Sequence, residues 1–201
     1  MRKMKIVCIG DSLTEGLGIS KVDAWPTILQ NELSVEIINK GISGDTSTGM
    51  LSRFYHDVVL NNPSHVIICA GGNDLWWEVE IKYILSNIYS MVKQAIHNGI
   101  QPIVAIHPPI HIDLINHEEV WEPISGFETF VLKAQELANR IEQMVKVNQF
   151  KLIDFRIPFQ HHQNLKSKFF EGTDGVHPNE FGHNALAKQA YQTIIQLNND
   201  Y

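Results

Sequence analysis

Apolar residues gather in five short runs, at residues 5–10, 35–40, 65–71, 101–107 and 150–155. Each run is rich in Val and Ile, and most continue without polar alternation. Runs of this length predict strands buried on both faces, the habit of parallel sheets. Between the runs the apolar spacing changes to three and four. Ile84, Ile88, Met91, Val92 and Ala95 form one helical stripe. Phe130, Val131, Ala134, Leu137, Ala138, Ile141 and Val145 form a longer one, and Leu186, Ala190, Ile194 and Leu197 a third. Residues 48–60 predict a further helix that stops before Asn61-Asn62-Pro63. Residues 24–33 predict another, with Pro26 tolerated in its first turn.

Strands that alternate with helices predict a doubly wound α/β sheet with right-handed crossovers. No repeat, low-complexity tract or linker divides the chain, so residues 1–201 are expected to form a single domain. The longest irregular stretch, residues 108–125, reads PPIHIDLINHEEVWEPIS. A loop of this length in a compact domain is either a functional lid or binding loop, or a surface excursion packed by its own Ile, Leu and Trp.

Composition narrows the function classes. The chain has 201 residues, 44% apolar and 19% charged, which is ordinary for a globular domain. Its formal net charge of -6 and the absence of a Lys/Arg cluster exclude nucleic acid as an expected partner. No apolar stretch approaches the roughly 18 residues of a membrane span. The segment MRKMKIVCIG enters its first strand too early for a signal-peptide core and has no cleavage site. Cys8 and Cys69 fall inside strand runs and read as small core thiols. Together these features predict a cytoplasmic location.

In open α/β sheets, ligands bind beyond the carboxyl ends of the strands. The residues that follow each strand are therefore candidates for chemistry. GDSLTEG, residues 10–16, follows the first strand; GISGDTS, residues 41–47, the second; GGND, residues 71–74, the third. DGVHPN, residues 174–179, lies after the fifth. Ser12 is a nucleophile only if a base removes its proton. His177 titrates in the right range for that task. Asp174, three residues earlier, can reach its Nδ1–H and hold the tautomer. Pro178 biases His177 toward extended angles just ahead of the last helix. An oxyanion would find donors in the Ser12 amide, the Gly44 amide before a helix N-terminus, and the Asn73 side chain.

These four blocks, in this order across nearly the whole chain, resemble those of the SGNH hydrolases, the GDSL esterase/lipase family. The resemblance implies a flavodoxin-like three-layer α/β/α sandwich with a five-stranded parallel sheet. It implies Ser12 as nucleophile, His177 as base, Asp174 as its orienting partner, and Ser12, Gly44 and Asn73 as the oxyanion hole, with no metal or cofactor. The spacing and the Ala24-Trp25-Pro26 segment are most similar to the small bacterial thioesterase, lysophospholipase and arylesterase branch. Many members of that branch are exported, a habit from which the missing leader departs. The implied activity is hydrolysis of small-molecule esters or thioesters through an acyl-enzyme. A carbohydrate O-acetyl esterase is the alternative with the same mechanism. A non-catalytic phosphate- or nucleotide-binding module is the distant one, and neither a Walker nor a dinucleotide fingerprint follows a strand.

Other residues have simpler readings. Ser12 alone could be a capping turn serine; the three further blocks favour the nucleophile. Asp11 reads as a hydrogen-bonding residue that stiffens the turn. Asp74 reads as a cap for the helix that follows it. Trp76 and Trp77 read as core or rim aromatics, and Trp121 is open between loop packing and a pocket. His107, His111 and His117 straddle Pro108-Pro109, and His161-His162 are adjacent. None has a zinc spacing, and all read as solvated or loop histidines.

Overall fold

The five runs become one parallel sheet in the computed structural model, which describes residues 4–161 and 166–199. The strands are β1 (Lys5–Gly10), β2 (Glu36–Gly41), β3 (His65–Cys69), β4 (Gln101–Ile106) and β5 (Lys151–Asp154). Their order is β2-β1-β3-β4-β5, the flavodoxin-like winding. The helices are α1 (Ser12–Glu15), α2 (Trp25–Leu33), α3 (Ser47–Asp57), α4 (Gly72–Trp76), α5 (Ile81–His97), α6 (Phe127–Asn148), α7 (Ile157–His161), α8 (Lys166–Phe170) and α9 (Glu180–Asn199).

Two apolar layers flank the sheet. Val7, Ile9, Val66, Ile68, Val104 and Ile106 point to the side covered by α3, α5 and α6. Ile6, Cys8, Ile67, Cys69, Ile103 and Ala105 point to the side covered by α2 and α9. The side-chain period of a strand is two, so a sheet covered on both faces needs apolar residues at every position. That is why the runs lack alternation. β2 differs because it is the edge strand. It is only partly buried and carries Asn39 and Lys40. The Asn39 side chain is nevertheless engaged, since Nδ2 donates to the Thr14 carbonyl at 2.8 Å.

The helical stripes are buried as their spacing predicts. All five residues of the α5 stripe are in the core. In α6, Val131 and Ala134 are only partly covered, while the rest of the stripe is buried. Leu186, Ala190 and Ile194 of α9 are buried; the Leu197 side chain lies outside the described residues, as does His162. The 48–60 helix begins earlier than expected, at Ser47, because Thr46 caps it by accepting from the Gly49 N–H at 3.2 Å. It gives way to a 3₁₀ turn at Val59–Asn61. Among the described residues no helix is long and apolar enough to cross a membrane.

Trp25 and His183 fasten α2 to the C-terminal helix. The Trp25 ring is buried against Phe155, with centroids 5.2 Å apart, and its Nε1–H donates to the Leu13 carbonyl at 3.0 Å. Its backbone N–H donates to His183 Nδ1 at 3.2 Å. Burial lowers the pKa of His183 from 6.5 to about 4, and the charge of His177 acts in the same direction. The folded protein therefore refuses a proton that the unfolded chain accepts, and stability falls as pH drops from 6.5 toward 4. The contribution is on the order of 3 kcal/mol. In urea titrations across this window, His183→Asn should lose less unfolding free energy than wild type. An identical pH slope in the two proteins would contradict this account.

Candidate active site

Ser12 stands at the carboxyl end of β1 as the first residue of α1. Asp11 turns the chain into that helix. It adopts extended angles and its Oδ1 accepts from the Leu13 N–H at 3.0 Å, so it is the N-cap that stiffens the turn. The Ser12 amide lies in the first helical turn, where no intrahelical acceptor exists. Its side chain is on the floor of a cavity and the residue is 8% exposed.

His177 arrives from 165 residues away. Its Nε2 lies 2.9 Å from Ser12 Oγ, and its Nδ1 lies 2.6 Å from Asp174 Oδ2. The other carboxylate oxygen of Asp174 accepts from the backbone N–H groups of Val176 and His177, each at 2.8 Å. Burial raises the Asp174 pKa, but hydrogen bonds from the His177 ring and amide more than offset it, and the carboxyl ends below its ordinary value. The turn is compressed at Gly175. Its φ is +82°, and a Cβ there would sit 2.2 Å from the Leu114 carbonyl oxygen. Only glycine fits both the left-handed backbone and the close approach. The Asp174 carbonyl also accepts from the Asn116 N–H at 3.0 Å, which ties the turn to the 108–125 loop.

Gly44 and Asn73 face the same cavity. Gly44 has a φ of +80°, and no atom stands within 4 Å of where its Cβ would be. The glycine is demanded by conformation and leaves the cavity side clear. Asn73 lies in α4 and its Nδ2 donates to the Asp45 carbonyl at 2.9 Å, which leaves a second N–H on that nitrogen. Two further side chains, Glu15 and Arg53, brace the Gly44 loop and the strand end beside it, and sequence reasoning assigned neither a role. Glu15 accepts from the Ser43 N–H at 2.7 Å. Arg53 donates to Asp45 Oδ2 at 2.7 Å and to the Gly10 carbonyl at 3.1 Å.

Two expectations need correction. Asp74 does not cap the helix that follows it. It is fully buried and its oxygens accept from the Ser47 N–H at 2.7 Å and from Ser47 Oγ at 2.6 Å. It caps α3 instead, because α4 delivers it across the start of that helix. His107 is not a solvated histidine. Its side chain is largely buried, with Nε2 2.9 Å from Asp11 Oδ2. Burial disfavours its charged form, yet Cys69 and the Asp11 carboxylate outweigh that, and its pKa lies well above the ordinary value. His111 and His117 are loop residues that pack edge-on against Phe170 and Phe127.

The cavity measures about 540 Å³. Beyond the polar floor much of the wall is apolar, with Trp76, Ile106, Ile110, Phe130, Leu137 and Ala138, while Glu119, Gln135 and Arg156 also line it. Trp76 is held edge-on between Phe127 and Phe130. The 108–125 loop supplies Pro108, Pro109, Ile110, Val120 and Trp121 to the wall. Trp77 and Trp121, 53% and 84% exposed, stand at its edge. A hydroxyl, an imidazole and a carboxylate in hydrogen-bonded series can move a proton off the hydroxyl, and the amides opposite can hold a negative oxygen.

Comparison with known proteins agrees with this architecture. Residues 8–185 match the model of the GDSL-like lipase/acylhydrolase family. Over 99 residues the chain is 32% identical to Esterase TesA of Pseudomonas aeruginosa, a match spanning 47% of this chain and 49% of that protein. It is 24% identical to an acetylxylan esterase of Geobacillus stearothermophilus over 94% of this chain and 93% of the other. A G-D-S-L family protein from Desulfitobacterium hafniense superposes with a TM-score of 0.81 at 25% identity, covering 94% of this chain and 99% of its own. The match to the family model covers most of the sequence, and the chain belongs to the GDSL-like lipase/acylhydrolase family.

Proposed function

We propose that the protein is a serine hydrolase that cleaves carboxylic esters or thioesters through an acyl-enzyme on Ser12. The observation that carries this reading is the unbroken series Ser12 Oγ, His177 and Asp174 at 2.9 and 2.6 Å on the floor of the cavity. Ser12 Oγ forms a bond to the substrate carbonyl carbon as His177 Nε2 takes the hydroxyl proton. The carbonyl electron pair moves onto oxygen, where the amides of Ser12 and Gly44 and the Asn73 side chain donate to it. Collapse of the intermediate breaks the bond to the leaving alkoxide or thiolate, which receives the proton from His177. Water then bonds to the acyl carbon as the same imidazole takes its proton, and collapse breaks the bond to Ser12 Oγ, which receives that proton as the acid leaves.

The apolar walls favour an acyl or aryl group larger than acetyl. Burying each methylene contributes about 0.8 kcal/mol. A series of p-nitrophenyl esters is therefore expected to show kcat/KM rising from acetate into medium chain lengths. A p-nitrophenyl fluorophosphonate-type reagent should label the Ser12 peptide. The match to an acetylxylan esterase along nearly its whole length favours the second reading, a carbohydrate O-acetyl esterase. A steep preference for acetylated sugar over all longer acyl esters would establish that reading against the first.

Asn73→Ala is expected to lower kcat by about 10²- to 10³-fold with little change in KM, the usual cost of one oxyanion donor. Steady-state kinetics on the best ester of the series checks it. A loss confined to KM would place Asn73 in ground-state binding instead.

A further inference from the structure

Asp11 puts a carboxylate immediately before the proposed nucleophile. It is 2% exposed, and both oxygens are committed: Oδ1 to the Leu13 N–H at 3.0 Å and Oδ2 to His107 Nε2 at 2.9 Å. The cap alone needs only an oxygen acceptor, which an asparagine would also supply. A carboxylate here has a cost beyond burial. The reaction proposed above builds negative charge beside the Ser12 amide, and a buried carboxylate, poorly screened by water, repels it. The substrate carbonyl is neutral in the ground state, so the repulsion would fall on the transition state and hence on kcat.

His107 is placed to cancel it. The residue follows β4, two positions from β1 in the sheet, and its ring reaches Asp11 past the end of β3. Gly72 borders the pair: a Cβ there would stand in ordinary contact, 3.6 Å from both Asp11 Oδ2 and His107 Nε2. The groups around the ring are Asp11 from the turn after β1 and Cys69 from β3; Asp174, His177 and Arg156 share the cavity wall with it. The upward direction of its pKa agrees with a charged ring.

We propose that His107 is a positioning residue for the nucleophile: as a buried imidazolium it donates from Nε2 to Asp11, neutralises that carboxylate against the developing oxyanion, and fixes the turn that aims Ser12. It acts through Asp11 and touches no reacting atom. The inference rests on the serine-hydrolase reading. That reading stands or falls on fluorophosphonate labelling of wild-type Ser12, which does not involve His107.

A double-mutant cycle tests the proposal. His107→Gln should lower kcat by about 10- to 100-fold while KM stays within about threefold, because the unneutralised Asp11 charge opposes only the transition state. Asp11→Asn keeps the cap and removes the charge. Adding it to His107→Gln should raise kcat back to within about threefold of Asp11→Asn alone, a strong coupling between neighbours. A double variant as slow as His107→Gln, or losses that simply add, would mean that His107 only packs, and would overturn the proposal; so would a His107→Gln enzyme with wild-type kcat. Should His107→Gln fail to fold, the imidazole ¹⁵N shifts of wild type decide. Both ring nitrogens of His107 protonated at pH 7 is the expected result, and a neutral ring rejects the proposal.

Discussion

Ser12→Ala is expected to reduce kcat on a p-nitrophenyl ester by about 10⁴- to 10⁶-fold, the range seen when a triad nucleophile is removed. The residual rate would come from the oxyanion donors and from substrate binding, which the substitution leaves in place. The fold should hardly notice. Ser12 is the first residue of α1, and the cap that starts this helix is Asp11, whose bond to the Leu13 N–H is untouched. Among the described residues, the only side-chain hydrogen bond that Oγ makes is the one to His177 Nε2, and that nitrogen faces the cavity. The thermal midpoint is therefore expected to stay within a few degrees, since the change removes no buried apolar contact and no cap. The measurement is kcat with a thermal melt of the same preparation, together with labelling by a fluorophosphonate. A folded variant that keeps more than about a tenth of wild-type kcat would remove Ser12 from the mechanism, because no other member of the series could substitute for it.

Much of the fold is legible in the sequence because burial on two faces writes itself into composition. β1, β3 and β4 are covered on both sides, and their runs have no polar positions inside the strand apart from the ends. β2 is legible for a weaker reason, since an edge strand keeps polar residues and only its Ile pair marks it; its span is shifted by one residue from the expected one. α5 is legible because all five stripe residues enter the core. α6 is less so because two of its stripe positions, Val131 and Ala134, are only partly buried, and most of the stripe lines the cavity.

The candidate site divides along a different line. Ser12, Gly44, Asn73, Asp174 and His177 stand in short motif blocks, each beside a strand end or the last helix, and the sheet topology gathers strand ends along one rim. The braces are harder to read even where they stand inside such blocks, because what defines each is a long-range pairing. Asp74 meets Ser47 across 27 residues and His107 meets Asp11 across 96, one pair each, with no local periodicity to announce them. Asp74 beside a helix start looks like that helix's own cap, and only its long-range contact with Ser47 at the start of α3 shows otherwise. His107 in a stretch with two prolines and two more histidines looks like loop. The clue available in the sequence was positional: it closes the fourth apolar run, at the strand end where the rim that carries Asp11 is expected. The apolar cavity was legible only as a long loop with four Ile and Trp121, because its opposite wall comes from residues of α6 that read as core.

Asp174→Asn is expected to cost about 10⁴-fold in kcat while leaving the site's geometry in place. The asparagine side chain is nearly the same shape, and its oxygen can go on accepting from the Val176 and His177 amides, where Oδ1 does so now at 2.8 Å. The amide nitrogen then replaces Oδ2 opposite His177 Nδ1. That nitrogen can only donate, so Nδ1 must accept and the ring proton moves to Nε2. Nε2–H then points at Ser12 Oγ, 2.9 Å away, with no lone pair to take the hydroxyl proton. The imidazolium that forms during attack also loses the carboxylate that stabilises it. Both effects act after substrate has bound, so KM should move little while kcat collapses. Asp174→Glu tests shape rather than charge: it keeps the carboxylate but must fit a longer arm into a turn closed by Gly175 against Leu114. If Asp174→Asn retained more than a few per cent of wild-type kcat, the orienting carboxylate would have to come from elsewhere, and the short contact to His177 would be structural.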